Sequence, residues 1–214
     1  MFTGIVQTKA SVVSVSTSGD VMRLVLSTPN AYLNHLDIGA SISINGCCLT
    51  VVHYELGNKD VVGQVHFDVI DETLRLTNLG LLKQGQKVNF ERSVTFGTEI
   101  GGHIVSGHIH TVAKVESIER QQDNCAMFLS LPEKWLKYIN YKGFITVNGC
   151  SLTVGEIQKN GFYLHLIPET LEVTNLGLAQ IGSEFNIEVD QQTYTIVETI
   201  ERYMKSKGCN TNHQ

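Results

Sequence analysis

Short apolar runs rich in Val, Ile and Thr, each closed off by Gly, Asn or Asp, recur along nearly the whole chain. In the first half they fall at residues 5–6, 11–15, 23–27, 41–44, 49–52, 65–69 and 87–92. In the second half they fall at 109–115, 127–131, 144–147, 152–157, 163–167 and 184–189. Strands this closely spaced, with turn residues between them, predict an all-β barrel or sandwich, with six strands per half as the natural count. Two kinds of segment break the pattern. Residues 29–36 place Tyr32, Leu33 and Leu36 on one helical face, and residues 132–139 do the same with Trp135, Leu136 and Ile139. Each begins with the proline that suits a helix start. A second short turn is predicted from Glu72 to Gly80, with a twin ending at Gly177. From Gln191, the side chains Tyr194, Val197, Ile200 and Met204 recur at three- and four-residue spacing. They predict a terminal amphipathic helix to about Lys205, serving either to pack on its own barrel or to self-associate. The polar tail over residues 206–214 is expected to fray.

The two halves are copies. Residues 4–51 match 107–154 at a constant offset of 103, with INGCCLTV answered by VNGCSLTV. After a six-residue contraction the offset becomes 97, where ETLRLTNLGLL answers ETLEVTNLGLA and Gly85, Asn89 and Glu91 answer Gly182, Asn186 and Glu188. The period is far longer than in solenoid repeats, so each copy can bury its own core. The reading is two domains, 1–97 and 98–190, followed by a terminal helix and tail over 191–214.

Composition narrows the function. The 214 residues carry 16 Lys and Arg against 21 Asp and Glu, with no basic run, so a nucleic-acid footprint is absent. The five cysteines are odd in number and lack C-x-x-C spacing, which suggests neither a disulfide framework nor a zinc knuckle and fits a reducing cytoplasm. No segment reaches the roughly 18 apolar residues of a membrane span, and the start lacks an export signal.

The chemistry lies where the copies differ. Cys48 aligns with Ser151, Ser41 with Phe144, Ile5 with His108, Gly39 with Lys142, Asp68 with His165 and Ser93 with Asp190. Copy one thus offers a thiol and a hydroxyl, and copy two offers His, Lys, Asp and hydroxyls. In the NGC-[CS]-LTV motif the glycine makes a tight turn, and period-two alternation puts Cys48 with Thr50, and Ser151 with Thr153, on one strand face. Such a face, with amides freed by the turn, suits a flat heterocycle bearing carbonyls and ring nitrogens. His108 replaces Ile5 inside a glycine-containing segment and is a candidate for catalysis or ligand binding. His103 and His110 read as polar strand residues, and no metal site is expected. Glycines 97, 101, 102 and 107 do not form a dinucleotide fingerprint between strand and helix.

The segments MFTGIVQ, NGCCLTV, FDVIDETLRLTNLG, GGHIVSGHI, KGFITVNGCSLTVGE and HLIPETLEVTNLG resemble riboflavin synthase of the alpha-chain type, in order and over essentially the full length. The resemblance implies a tandem pair of six-stranded Greek-key β-barrels with a C-terminal α-helix, and a homotrimer assembled through that helix with active sites between subunits. It implies a cofactor-free dismutation of two 6,7-dimethyl-8-ribityllumazine molecules, in which a four-carbon unit passes from one to the other, giving riboflavin and 5-amino-6-ribitylamino-2,4-pyrimidinedione. Holding two such rings in register removes the entropy of a bimolecular encounter, worth about 7–11 kcal/mol. By motif, the first pocket draws on Gly4, Ile5, Val6, Cys48, Leu49, Thr50, Asp68, Val69, Ile70, Asp71, Glu72 and Thr73. The second draws on Gly107, His108, Ile109, Lys142, Ser151, Leu152, Thr153, His165, Leu166, Ile167, Pro168, Glu169 and Thr170. Phe2 shapes the site. Cys48, Ser41 or a water they position is the candidate nucleophile, His108 the candidate base, and Asp190 and Ser151 polarise or shuttle protons. The rival reading is a non-catalytic lumazine carrier like the lumazine proteins of luminous bacteria. Sequence leaves open which barrel holds the donor and which the acceptor.

Overall fold

The structure, a computed structural model, describes residues 1–58, 62–121 and 124–207. The first copy contains β1 (Thr8–Ser18), β2 (Val21–Pro29), β3 (Ser41–Ile44), β4 (Cys47–Glu55), β5 (Val62–Ile70), α1 (Asp71–Leu76) and β6 (Lys87–Arg92). Its strands close into a barrel in the order β1-β2-β5-β4-β3-β6, all neighbours antiparallel. The non-consecutive neighbours β2-β5 and β3-β6 are the Greek-key crossings. Inside, Leu24, Leu26, Ile42, Ile44, Val65, Phe67, Val88 and Phe90 are fully buried, and they come from alternate positions of their strands, as a half-buried sheet requires.

The second copy contains β7 (Thr111–Arg120), β8 (Cys125–Ser130), β9 (Phe144–Val147), β10 (Cys150–Thr153), β11 (Ile157–Gln158), β12 (Gly161–Leu166), α2 (Pro168–Val173) and β13 (Glu184–Val189), and α3 (Gln191–Ser206) follows it. Here the sheet runs β10-β9-β13-β7-β8-β12-β11. The apolar run over 152–157 is interrupted, so the counterpart of β4 becomes two strands, β10 and β11. Gly155 and Tyr163 still bond across the gap, N to O at 2.8 Å, which keeps the curled sheet wrapped round its own core of Met127, Leu129, Ile145, Val147, Phe162, Leu164 and Ile187. The run at 5–6 forms no strand, because Gly4 sits at φ +74° and turns the backbone out of the ladder.

The proline-led segments fold as short 3-10 turns, Asn30–Tyr32 and Glu133–Tyr138. Leu33 and Leu36 enter the first core, while Tyr138 and Ile139 enter the second. Helix α3 divides its apolar residues between two faces. Tyr194 and Val197 pack on the second core, whereas Ile196, Ile200 and Tyr203 stand exposed. Ile200, which spacing placed with Tyr194, therefore belongs to the outer face. Tyr138 donates to Glu198, and Lys137 bonds Glu201 at 2.6 Å, tying α3 to the 3-10 turn. Residues 208–214, the greater part of the tail, lie outside the described residues.

The barrels meet across six buried or half-buried asparagines that bond reciprocally. Asn78 N donates to Asn186 Oδ1 at 2.7 Å and Asn175 N to Asn89 Oδ1 at 2.6 Å. Asn89 Nδ2 reaches Asn148 O at 2.8 Å and Asn186 Nδ2 reaches Asn45 O at 2.9 Å. This pairing, i to j and j to i, is that of a local twofold axis. The Asn-Gly turns cross on that axis. Asn45, Gly46, Asn148 and Gly149 all have positive φ, the requirement of a two-residue hairpin turn matched to strand twist. A Cβ on Gly46 would stand 2.7 Å from Gly149 N, so no other residue fits there.

Candidate active site

Two segments cross between the barrels, each held by its own barrel and reaching a strand of the opposite one. The first covers residues 2–6 and the second 103–109; they touch where Phe2 and Val105 exchange backbone bonds at 2.8 and 3.0 Å. Each is pinned by a buried carboxylate. Glu91 of β6 accepts from Thr3 N at 2.7 Å, Thr3 Oγ1 at 2.8 Å and Gly4 N at 3.1 Å. Glu188 of β13 accepts from Ser106 N and Oγ at 2.7 Å and from Gly107 N at 2.9 Å. Burial pushes both carboxyls above the usual range, while their donors pull back against it.

This crossing regroups the residues expected in the site. Ser151 N donates to Gly4 O at 2.8 Å, and Cys48 N donates to Gly107 O at 2.8 Å. Segment 4–6 therefore lies with Ser151, and segment 107–109 with Cys48, the reverse of grouping each by its own copy. The amides that the turn was expected to free are occupied by these bonds. Both glycines are obligatory: a Cβ on Gly4 would come within 2.6 Å of Ser151 Cβ, and one on Gly107 within 2.6 Å of Cys48 Cβ. Phe2 is 2% exposed and its ring backs Gly107, so it shapes the first patch from behind.

The first patch lies on the outer face of its barrel. Half-buried Cys48 and exposed Thr50 share a strand face, with Ser41 directly across from Thr50 in the β3–β4 ladder. Asp68 follows on β5, held by Arg23 Nε at 2.8 Å and Nη2 at 2.9 Å, which keeps its carboxyl below the usual range. Ile70 is 58% exposed, and Asp71, Glu72 and Thr73 open α1, with Glu72 paired to Arg75. Exposed His108 and half-buried Ile109 arrive from the crossing segment. Leu49 and Val69 point into the core and offer a ligand only their backbones. Of the adjacent thiols, buried Cys47 is pushed up to about 12 by desolvation, leaving Cys48 as the one that reaches the surface.

The second patch repeats this frame with other groups. Ser151 and Thr153 stand across β9 from Thr146 and Phe144, and His165 stands across β8 from Ala126 where the first copy pairs Asp68 with Arg23. Ile5 and Ile167 are exposed, while Val6 and Leu166 are buried in the second core. Leu152 is half-buried, Lys142 sits at φ +61° at the patch margin, and Pro168, Glu169 and Thr170 begin α2. Asp190 caps α3, its Oδ2 accepting from Thr193 N at 2.7 Å, so one of its oxygens is already engaged.

His103 and His108 of the crossing segment and His110 just after it go to three places. His108 is exposed in the first patch. His110 is packed among Trp135 and Tyr194, at centroid distances of 5.3 and 5.0 Å. His103, which reads in sequence as a polar strand residue, lies outside any strand and is buried against the second patch, with Nδ1 2.7 Å from Ser151 Oγ and Nε2 3.2 Å from Thr146 Oγ1. The repeat could not have found it, because its counterpart at offset 103 would precede Met1.

The groove between the barrels, about 540 Å³, is lined by Asn45, Asn78, Lys87, Asn175 and neighbours, and contains none of the expected site residues. A second hollow, about 530 Å³, touches the patches only at Ile5.

Residues 3–93 and 106–190 each match the lumazine binding domain. The chain is 47% identical over 208 residues to riboflavin synthase of Escherichia coli, covering 97% of this chain and 95% of that one. It is 39% identical over 215 residues to riboflavin synthase of Mycobacterium bovis, covering 97% and 100%. Among solved structures, LumP complexed with riboflavin superposes with a TM-score of 0.80 at 31% identity, over 89% of this chain and all of that one.

Proposed function

The chain belongs to the riboflavin synthase family, with two lumazine-binding domains in one polypeptide, and from that premise we propose that its two patches hold the two 6,7-dimethyl-8-ribityllumazine molecules of one dismutation. The two products together contain the atoms of two substrates, so the transfer needs no external oxidant or reductant. The observation that carries the reading is the pair of patches itself: one frame, used twice, with a thiol in one copy and a hydroxyl in the other.

Each patch is an open shelf, and within one chain the crossed segments stand between Cys48 and Ser151. The complete site is formed when the first patch of one subunit meets the second patch of a neighbour, in a homotrimer joined through the exposed Ile196, Ile200 and Tyr203 face of α3. Two stacked pteridines then fill the gap. Cys48, with Ser41 and a water they position, directs a nucleophile to ring carbon 7 of the acceptor lumazine. His108, on the segment that rests on Cys48, takes a proton from the 7-methyl group of the donor stacked against it. Lys142, His165 and Thr153 frame the donor, while Thr50 and the Asp68–Arg23 pair frame the acceptor. Free Cys47, Cys48, Cys125 and Cys150 suit a cytoplasmic enzyme.

Purified protein mixed with the lumazine should convert its blue-green fluorescence to yellow riboflavin. His108→Gln should slow this by about 100–10,000-fold, the range of a lost general acid–base contribution, and Cys48→Ser should slow it too, both with unchanged far-ultraviolet dichroism. Variants that turn over at the full rate would remove both role assignments. Ligand retained with no product formed would instead favour a carrier, the reading suggested by the likeness to LumP.

A further inference from the structure

His103 and Thr146 belong to no part of the proposed chemistry, yet they form a buried chain that ends on the Ser151 hydroxyl. Thr146 is 0% exposed, and its Oγ1 meets one hydrogen-bonding group among the described residues, His103 Nε2 at 3.2 Å. The ring of His103 stacks on Phe144 at 5.0 Å with a 16° interplanar angle, and its backbone N donates to Thr3 O at 3.1 Å. These contacts fix the ring plane, and Nδ1 is left 2.7 Å from Ser151 Oγ.

The direction of these bonds follows from hydrogen-bond accounting. A hydroxyl carries one proton and two lone pairs, and a buried proton with no acceptor is the costlier group to leave unpaired. If Nε2 carried the ring proton, Thr146 would accept and its own proton would have nowhere to go. Thr146 therefore donates to Nε2. A neutral imidazole has one proton, which then sits on Nδ1 and is given to Ser151 Oγ. The Ser151 proton is left to point outward, into the second patch.

Resting on the reading that this patch holds the donor lumazine, the partner that becomes an anion, we propose that Thr146 and His103 are positioning residues that make Ser151 an obligate hydrogen-bond donor to it. When the 7-methyl group loses its proton, the charge spreads through the ring to its nitrogens and carbonyl oxygens, and a fixed O–H aimed at that charge stabilises it most as it develops. The first patch lacks the device. Its counterparts are Ser43 and Cys48, and among the described residues no imidazole bridges them, whereas the amides of Cys48 and Ser151 are spent alike, on Gly107 and Gly4. Burial lowers the His103 pKa, which holds the ring in the neutral form that the chain requires.

The test uses the full-length protein and the lumazine itself. Nitrogen NMR of histidine-labelled protein should show His103 protonated on Nδ1, switching or averaging in Thr146→Val and unchanged in Thr146→Ser. Exchange of the 7-methyl protons in deuterated water, followed by proton NMR, should fall about 100-fold in both Thr146→Val and Ser151→Ala. It should fall no further in the double variant, because both act through one hydroxyl, and Thr146→Ser should restore it. A His103 protonated on Nε2, or exchange that is normal in Ser151→Ala while the wild type still makes riboflavin, overturns the proposal. A wild type that neither binds lumazine nor forms riboflavin would overturn the functional reading instead.

Discussion

Glu188 and Glu91 show how much of the site depends on single side chains that never touch a ligand. Each gathers three donors onto one carboxylate and so sets the path of the segment carrying His108 or Ile5. Sequence comparison marked both as repeated positions, but a glutamate in a strand gives no sign of what it will hold. Cys48, Ser151 and His108 were legible because they differ between copies; His103 was not, because it has no partner to differ from. The buried imidazoles also make a pH prediction. Burial pushes His103 and His110 below the usual histidine range, with Asp190 pulling His103 back and His108 pressing His110 further down. Above about pH 6.5 both folded and unfolded states hold these rings neutral and they contribute nothing to pH dependence. As the pH falls below that value the unfolded chain takes up protons first, so stability declines until the folded pKa values are passed. Urea midpoints measured from about pH 8 to about pH 5 should therefore drop on the acid side, and His103→Asn should make the slope shallower.

At the scale of elements, the strands and the terminal helix were readable from period-two and three-to-four spacing, since each buries one face. Segments 2–6 and 103–109 were not, because their backbone bonds go to each other, to a carboxylate side chain and to one strand of the opposite barrel, and no periodicity records that. The glycines within them carry the constraint. Gly107 has φ +84° and its missing Cβ is occupied by Cys48, whereas Gly85 has φ +86° with nothing within 4 Å. Alanine at Gly85 should cost only the backbone conformation, about 1–2 kcal/mol, and leave turnover intact. Alanine at Gly107 carries the same strain and must also push the segment off Cys48, so riboflavin formation should collapse. Thermal unfolding beside initial rates for the two variants separates these effects, and equal loss of activity in both would show that the close approach does not matter.

In the whole molecule, the asparagine lattice and the crossed segments lock two barrels about a local twofold, and that lock keeps the two patches of one chain from closing on each other. The NGC motif, read in sequence as a ligand-facing turn, spends its asparagine and glycine on this axis and gives the ligand only the residues after it. The proposed site shared between subunits rests on this lock, and complementation tests it. Thr50 and Thr153 are exposed on the outer faces of their barrels, so Thr50→Arg should obstruct the first patch, and Thr153→Arg the second, without disturbing either core. Each variant alone has one blocked half in every site and should be inactive. Refolded together from an equal mixture, subunits combine at random, and roughly a quarter of the interfaces should join an intact first patch to an intact second patch. Riboflavin formation should recover to about that fraction of the wild-type rate. Were the site built within one chain, every site would keep its block and the mixture would stay as inactive as its parents.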